Sequence, residues 1–445
     1  MTPSSMRSRR RILLRITAVI VGLLTLAAAL SAGILAPYCF SVRVATVSLL
    51  TLIAIASFGA IAWLGMRLCA ALWRTQNPAR FATLTSSALT FVFVGALYLL
   101  VLRPTPLHFT EVKPAEGAHY WHLPTGSTIS YQEFLPPANI AIKPDPIVFI
   151  HGGPGLRFMQ FDSIAYGGYA AEGFRVYLYD QAGSGASNFL AHTKDYTIGR
   201  FVDDLEAVRL QLHAEQMILI GHSMGSLLAA SYMAKYPTRV SKVVFHSPAP
   251  IWDADDSSLD MSLTDAEPLG LSSIPVRLLA GVYLMEQNPD AADNLLPQRQ
   301  AEELMAPVVA KTFGALVCKG NSQKLPSMLA GSKDHSDNPG FNPYVQQRLI
   351  DQTLDAHGDP HAALRGNRTP AILLFGGCNY VPWAGAVDYR KTFASLKIFY
   401  FPKAGHYIQF EQPELMSKVI RSFLLDQPDA IPPYTSDADP RSPAN

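Results

Sequence analysis

Ser223 sits at the centre of Gly221-His222-Ser223-Met224-Gly225, a spacing that suits attack on a carbonyl by a serine hydroxyl. The motif follows an apolar run, 216–220, that reads as a buried strand. It precedes 227–234, which reads as a helix stopped by Pro237. A turn this sharp strains the backbone of its central residue, and the flanking glycines leave room for the close packing it requires. The hydroxyl then stands clear of the sheet, with the next backbone N–H and the helix N-terminus aimed at the same point. Outside that context the same pattern marks only a tight turn. Two further glycine-rich segments, His151-Gly152-Gly153-Pro154-Gly155 and Asp180-Gln181-Ala182-Gly183-Ser184-Gly185, each follow a strand-like run (146–150 and 174–179). Near the end of the chain, Gly405-His406 follows another, 396–400.

These segments need a scaffold that gathers strand ends. Strand signals begin after Pro104, with 120–123 and 128–134 joined by Pro124-Thr125-Gly126 as a hairpin. A helix is expected over 198–212, with Phe201, Leu205, Val208 and Leu212 on one face. Strands follow at 240–245 and 371–375, and a last helix at 413–425. Strands alternating with helices predict an α/β fold with a mostly parallel sheet covered on both faces, binding ligands at the strand C-termini. The core is expected over 104–250 and 370–426. Between them, 251–369 reads as a helical cap (275–287, 298–316 and 342–356) that shields the pocket from water. The Pro-rich tail, 427–445, is expected to be disordered.

A net charge of +1, with no basic stripe beyond the N-terminus, excludes a nucleic-acid binder. Cys39, Cys69, Cys318 and Cys378 match no zinc or C-x-x-C spacing, so neither a metal nor a cofactor is expected. Residues 1–103 form a membrane region with three uncharged apolar stretches, 16–36, 44–66 and 81–102. Each is long enough to cross a bilayer as a helix. The first is longer than a signal-peptide core and is followed by two more, which favours a retained anchor over a cleaved leader. Arginines cluster before the first stretch (Arg7, Arg9, Arg10, Arg11) and between the second and third (Arg67, Arg74, Arg80), whereas the other connector carries only Arg43. The positive-inside rule then puts the N-terminus in the cytoplasm and everything after Leu102 on the outer side, periplasmic or extracellular.

In this order and spacing, His151–Gly155, Asp180–Gly185 and Gly221–Ser226 resemble the α/β-hydrolase fold, and within it the proline iminopeptidase-like serine peptidases, over about 146–413. The resemblance implies Ser223 as nucleophile, His406 as its base, and the backbone N–H groups of Gly153 and Met224 as the oxyanion hole. The chain departs from that pattern in three places. The usual acid position, at the end of Gly376-Gly377-Cys378-Asn379, holds an amide, so either Asn379 orients the imidazole or another acid does, with Asp253 the chief substitute. The elbow carries His222 and Met224, a form common among esterases and lipases. No cap glutamate among Glu267, Glu286, Glu302 and Glu303 stands out as a grip for a substrate amine, and the cap's one tryptophan, Trp252, precedes Asp253.

His222 is expected to point away from the serine, His246 to line the pocket at most, and His151 to bond within its loop. Asp180 and Gln181 are expected to tie down theirs, and Asp203 and Asp204 to lie on an exposed helix face. Cys318 and Cys378 are open to pairing or to remaining free thiols. The expected function is a membrane-anchored serine hydrolase that cleaves peptides or amides through an acyl-enzyme, as an aminopeptidase would. The alternatives are an esterase or lipase acting on acyl esters, and a catalytically silent domain used as a receptor or scaffold.

Overall fold

The architecture is that of a computed structural model, which describes residues 3–104, 112, 114–251, 262, 264, 274–324, 340–353 and 359–441. The chain divides into two compact units, Met1–Leu107 with Ile274–Pro297, and His108–Ser273 with Gln298–Asn445.

The first unit is helical: α1 (Pro3–Ser41), α2 (Val47–Trp73) and α3 (Pro78–Leu97), the last continued by a π turn at Tyr98–Leu102. Within these, Arg9–Ser41, Val47–Trp73 and Pro78–Leu102 are long and apolar enough to cross a membrane. Arg74 ends α2 in a left-handed conformation (φ 56°), and the Asn77 side chain caps α3 by accepting from Arg80 N–H (3.1 Å). Small residues let α1 and α2 approach closely: a methyl group on Gly65 would collide with Thr25. Two short helices complete the unit, α7 (Val276–Met285) and α8 (Pro289–Leu295). Arg277 holds them there, donating to the carbonyls of Val101 and Leu102 (3.0 Å each), Arg103 (3.1 Å) and Leu295 (2.6 Å). The carbonyls that end a helix have no partner of their own, and a guanidinium satisfies several together. The stretch 251–369, read from sequence as one cap, is therefore shared, with 274–297 among the apolar N-terminal helices and the described remainder in the second unit.

The second unit is built on one sheet, ordered β1-β2-β4-β3-β5-β6-β7-β8. Its strands are β1 (His119–His122), β2 (Thr128–Phe134), β3 (Ile147–Ile150), β4 (Val176–Tyr179), β5 (Met217–His222), β6 (Val240–His246), β7 (Ala371–Gly376) and β8 (Leu396–Phe401). β2 runs antiparallel to both its neighbours, β1 and β4, and β3 to β8 are mutually parallel. Alternate residues serve opposite faces. Val148, Ile150, Met217 and Leu219 join one core with α5 (Ile198–Gln211) and α6 (Met224–Lys235). Ile147, Phe149, Ile218 and Ile220 join the other, with α4 (Gln160–Gly167) and the C-terminal helix Pro413–Leu424. Burial on both faces explains why these strands read as continuous apolar runs rather than as alternating ones.

Two expectations need correction. The described part of the tail, 427–441, is held against the second unit. Tyr434 bridges to Ile398 of β8, Trp383 Nε1–H donates to the Asp437 carbonyl (2.9 Å), and Arg390 bonds the carbonyls of Tyr434 and Ser436. Its backbone finds partners on the sheet edge that composition could not reveal. Asp204 is buried rather than exposed, because it accepts from Ser127 Oγ (2.8 Å) and Arg200 Nε (3.2 Å). Asp203 does face solvent, paired with Lys235.

Candidate active site

The turn from β5 into α6 holds Ser223 at φ 54°, ψ −121°, a left-handed conformation that a side chain normally avoids. Three contacts fix it there. Ser223 N–H donates to the His246 carbonyl (2.9 Å), and the Ser223 carbonyl accepts from Ser226 N–H (2.9 Å) and Ala249 N–H (3.1 Å). The flanking glycines are sterically required, since a methyl group at Gly225 would collide with the Ile150 carbonyl, and one at Gly221 with the backbone of Gly225. Gly152 brings the loop after β3 against the serine: a methyl group there would lie 2.7 Å from Ser223 Cβ. Met224 opens α6, so its N–H belongs to the helix's unsatisfied first turn.

His406, in the loop after β8, is buried among the rings of His222 and Tyr380 (centroids 4.8 Å each). Its Nδ1 lies 2.9 Å from Asn379 Oδ1. Val381 N–H donates to the same oxygen (3.2 Å), so that atom must be the acceptor and the amide cannot flip. His406 therefore carries its proton on Nδ1 and offers Nε2 as an acceptor. Burial, and then the neighbouring His222, hold the His406 imidazolium well below its usual range. The Asn379 NH₂ group is buried without a partner among the described residues. Asp253, the alternative acid, lies outside the described residues, as do Trp252 and Glu267.

The other histidines serve the frame. His222 Nε2–H faces the His406 carbonyl (3.2 Å) while its ring stacks on Tyr407. His151 bonds within its loop (Nδ1 to Gly152 O, 2.8 Å) and accepts from Gln181 N–H at Nε2 (2.9 Å). Burial pulls both His151 and His222 down to about 4. His246 lies deeper than expected, fully buried, with Nδ1 2.6 Å from Tyr166 Oη. Asp180 ties down its loop through Phe158 N–H (3.1 Å) and Ala186 N–H (2.9 Å).

Sequence gave no sign of two supports. Glu411, one turn beyond His406, accepts from Gly405 N–H (2.5 Å), Cys318 N–H (3.0 Å) and Asn321 Nδ2 (2.6 Å), clamping the histidine loop. Arg441, from the tail, donates to the backbone carbonyls of Asn379 (2.7 Å) and Val381 (3.2 Å). Cys318 and Cys378 form a disulfide beside Asn379, closing a separation of 60 residues. Cutting it by Cys378→Ser is expected to cost about 2–4 kcal/mol of stability and to loosen the Asn379 loop. Thermal unfolding with and without reductant measures this, and identical melting curves would contradict it.

Residues 145–271 match the sequence profile of the alpha/beta hydrolase fold. The chain is 34% identical over 134 residues to a proline iminopeptidase of Heyndrickxia coagulans, a match over 29% of this chain and 44% of that enzyme, less than half its length. It is 23% identical over 284 residues to the proline iminopeptidase PfmaB of Pestalotiopsis fici, covering 62% of this chain and 91% of the relative. Among solved structures, a thermophilic esterase from Thermogutta terrifontis aligns with TM-score 0.48 at 18% identity, over 69% of this chain and 98% of its own. By sheet order, and by the profile match over residues 145–271, the second unit has the α/β-hydrolase fold. Within that fold it is proline iminopeptidase-like in sequence.

Proposed function

We propose that this chain is a membrane-anchored serine hydrolase that works through an acyl-enzyme. The reading rests most on the doubly pinned Asn379 oxygen, which leaves His406 Nε2 free to accept a proton. In this mechanism Ser223 Oγ attacks the substrate carbonyl as its proton passes to Nε2. The developing oxyanion meets the N–H groups of Gly153 and Met224, donors worth roughly 3–4 kcal/mol each. The imidazolium returns its proton to the leaving group, and a water activated by the same nitrogen releases the acyl group. Catalysis by this set of groups calls for no cofactor.

The proposed substrate is a peptide or amide with a free N-terminus, supported by the proline iminopeptidase relatives. Acyl esters are the second candidate, supported by the His222 and Met224 elbow. The proposed location is a membrane crossed three times, with the N-terminus cytoplasmic and the catalytic part outside. The arginine distribution supports that side, and so does the Cys318–Cys378 disulfide, since such bonds persist in oxidising compartments. The described part of 251–369 that belongs to the sheet unit is proposed as the cap.

A fluorophosphonate probe should label folded protein at Ser223. Unlabelled folded protein would instead indicate a catalytically silent domain. Turnover of proline anilides against short-chain nitrophenyl esters then separates peptidase from esterase. Because the imidazolium is disfavoured, lowering the pH should leave the base neutral until well into the acid range. The acid limb of kcat/KM should therefore fall below the usual imidazole value of about 6.5. A limb at or above neutrality would contradict the buried base.

A further inference from the structure

A cavity of about 520 Å³ lies within the unit formed by Met1–Leu107 and Ile274–Pro297. Ile34, Leu50 and Phe93 of the long helices wall one side, and Leu279, Ala280 and Leu284 of α7 the other. No charged side chain lines it among the described residues. The Thr51 hydroxyl on its wall is already spent on the Val47 carbonyl of its own helix (2.8 Å). Water held there would find almost nothing to bond with, and an apolar hollow left without an apolar occupant forfeits contacts that close packing normally supplies. The volume falls in the range of roughly 300–1,000 Å³ typical of ligand pockets.

Polar groups gather at one end. Tyr38 stacks on Tyr283 (4.0 Å), and its hydroxyl meets Gln287 Nε2 (2.7 Å) and Glu286. Asn288 Nδ2 donates to the Ser41 carbonyl (2.7 Å), and Arg277 caps the end of the π turn. The C-terminus of α1, the start of α2 and the end of the π turn all meet this cluster, so it marks one end of the three-helix bundle. If those helices span a bilayer, as proposed above, this is the headgroup level, and the cavity beneath it opens at acyl-chain depth.

We propose that this cavity binds one acyl chain of a bilayer phospholipid, held between the spans and α7 with its head among the Tyr38–Gln287–Asn288 groups. The inference rests on the membrane-spanning reading of α1–α3 and is independent of the hydrolase chemistry. α7 then serves as an interfacial wall of a lipid site rather than as a soluble lid.

The test uses the full chain in phosphatidylcholine nanodiscs that carry a trace of phosphatidylcholine with a diazirine on its acyl chain. After irradiation and tryptic digestion, the peptide Leu278–Arg299, which contains α8 and all but the first two residues of α7, should carry the label. Ala280→Trp, which puts an indole ring into the cavity from the α7 wall, should lower that labelling several-fold relative to the span peptides. Leu284→Ala, which enlarges it, should keep or raise it. Labelled spans with an unlabelled Leu278–Arg299 peptide would overturn the site, as would labelling indifferent to Ala280→Trp in a folded variant. Should no span peptide be labelled and alkaline carbonate extract the protein, the membrane-spanning reading falls and the lipid site with it.

Discussion

Replacing Ser223 by alanine is expected to lower kcat by on the order of 10⁴–10⁶-fold, the range seen when the nucleophile of a serine hydrolase is removed. Fluorophosphonate labelling should vanish with it. The fold should survive, because alanine keeps the Cβ atom and Ser223 is fixed through its backbone, by the His246 carbonyl and the N–H groups of Ser226 and Ala249. Ser223→Gly supplies a second readout. Glycine tolerates the positive φ without steric cost, so this equally inactive variant should be more stable than wild type by about 1 kcal/mol. A serine kept in a costly conformation solely for chemistry should show both effects. Ser223→Ala with full turnover would move the nucleophile elsewhere. Ser223→Gly less stable than Ser223→Ala, both of which lack the hydroxyl, would mean that the positive φ stores no strain for glycine to relieve.

The elbow was legible in sequence because its constraints are local. Gly221 and Gly225 are demanded by contacts within a few residues of the turn or with the adjacent strand, and a buried strand ending in glycines signals that demand directly. The strands were legible for a related reason. Val148 to Ile150 and Met217 to Ile220 are buried on both faces, so apolarity alone marks them, with boundaries shifted by a residue or two. Position 379 could be located in sequence but not understood. Whether its amide presents oxygen or nitrogen depends on Val381 N–H, and a residue type says nothing about which neighbour will donate. Glu411 and Arg441 were silent because ordinary charged residues acquire a role only when folding brings a loop or a tail to their side chains. The cysteine pair was likewise undecidable, since 60 residues of separation say nothing of distance in space. Composition misled outright at the tail, where Tyr434 and the carbonyls of Ser436 and Asp437 dock on the β7–β8 side of the sheet despite a sequence poor in apolar residues.

Asn379 offers the second large effect, and its two substitutions should move in opposite directions. Asn379→Leu removes the acceptor of the His406 Nδ1 proton and of Val381 N–H together. With its proton buried and unpaired, the ring can turn or change tautomer, and the loss should approach the 10⁴-fold that a wrong tautomer costs in the serine-protease example. Asn379→Asp keeps the shared oxygen and puts a second oxygen where the present NH₂ group has no partner. A carboxylate also stabilises the imidazolium formed during attack. Turnover by the aspartate variant should therefore equal or exceed wild type, with its acid limb moved to higher pH because the carboxylate favours protonated His406. Paired pH–rate profiles of the two variants read both effects. If the aspartate variant loses most of its activity while the leucine variant keeps it, Asn379 does not orient the base, and the partner of His406 must be sought elsewhere in the chain.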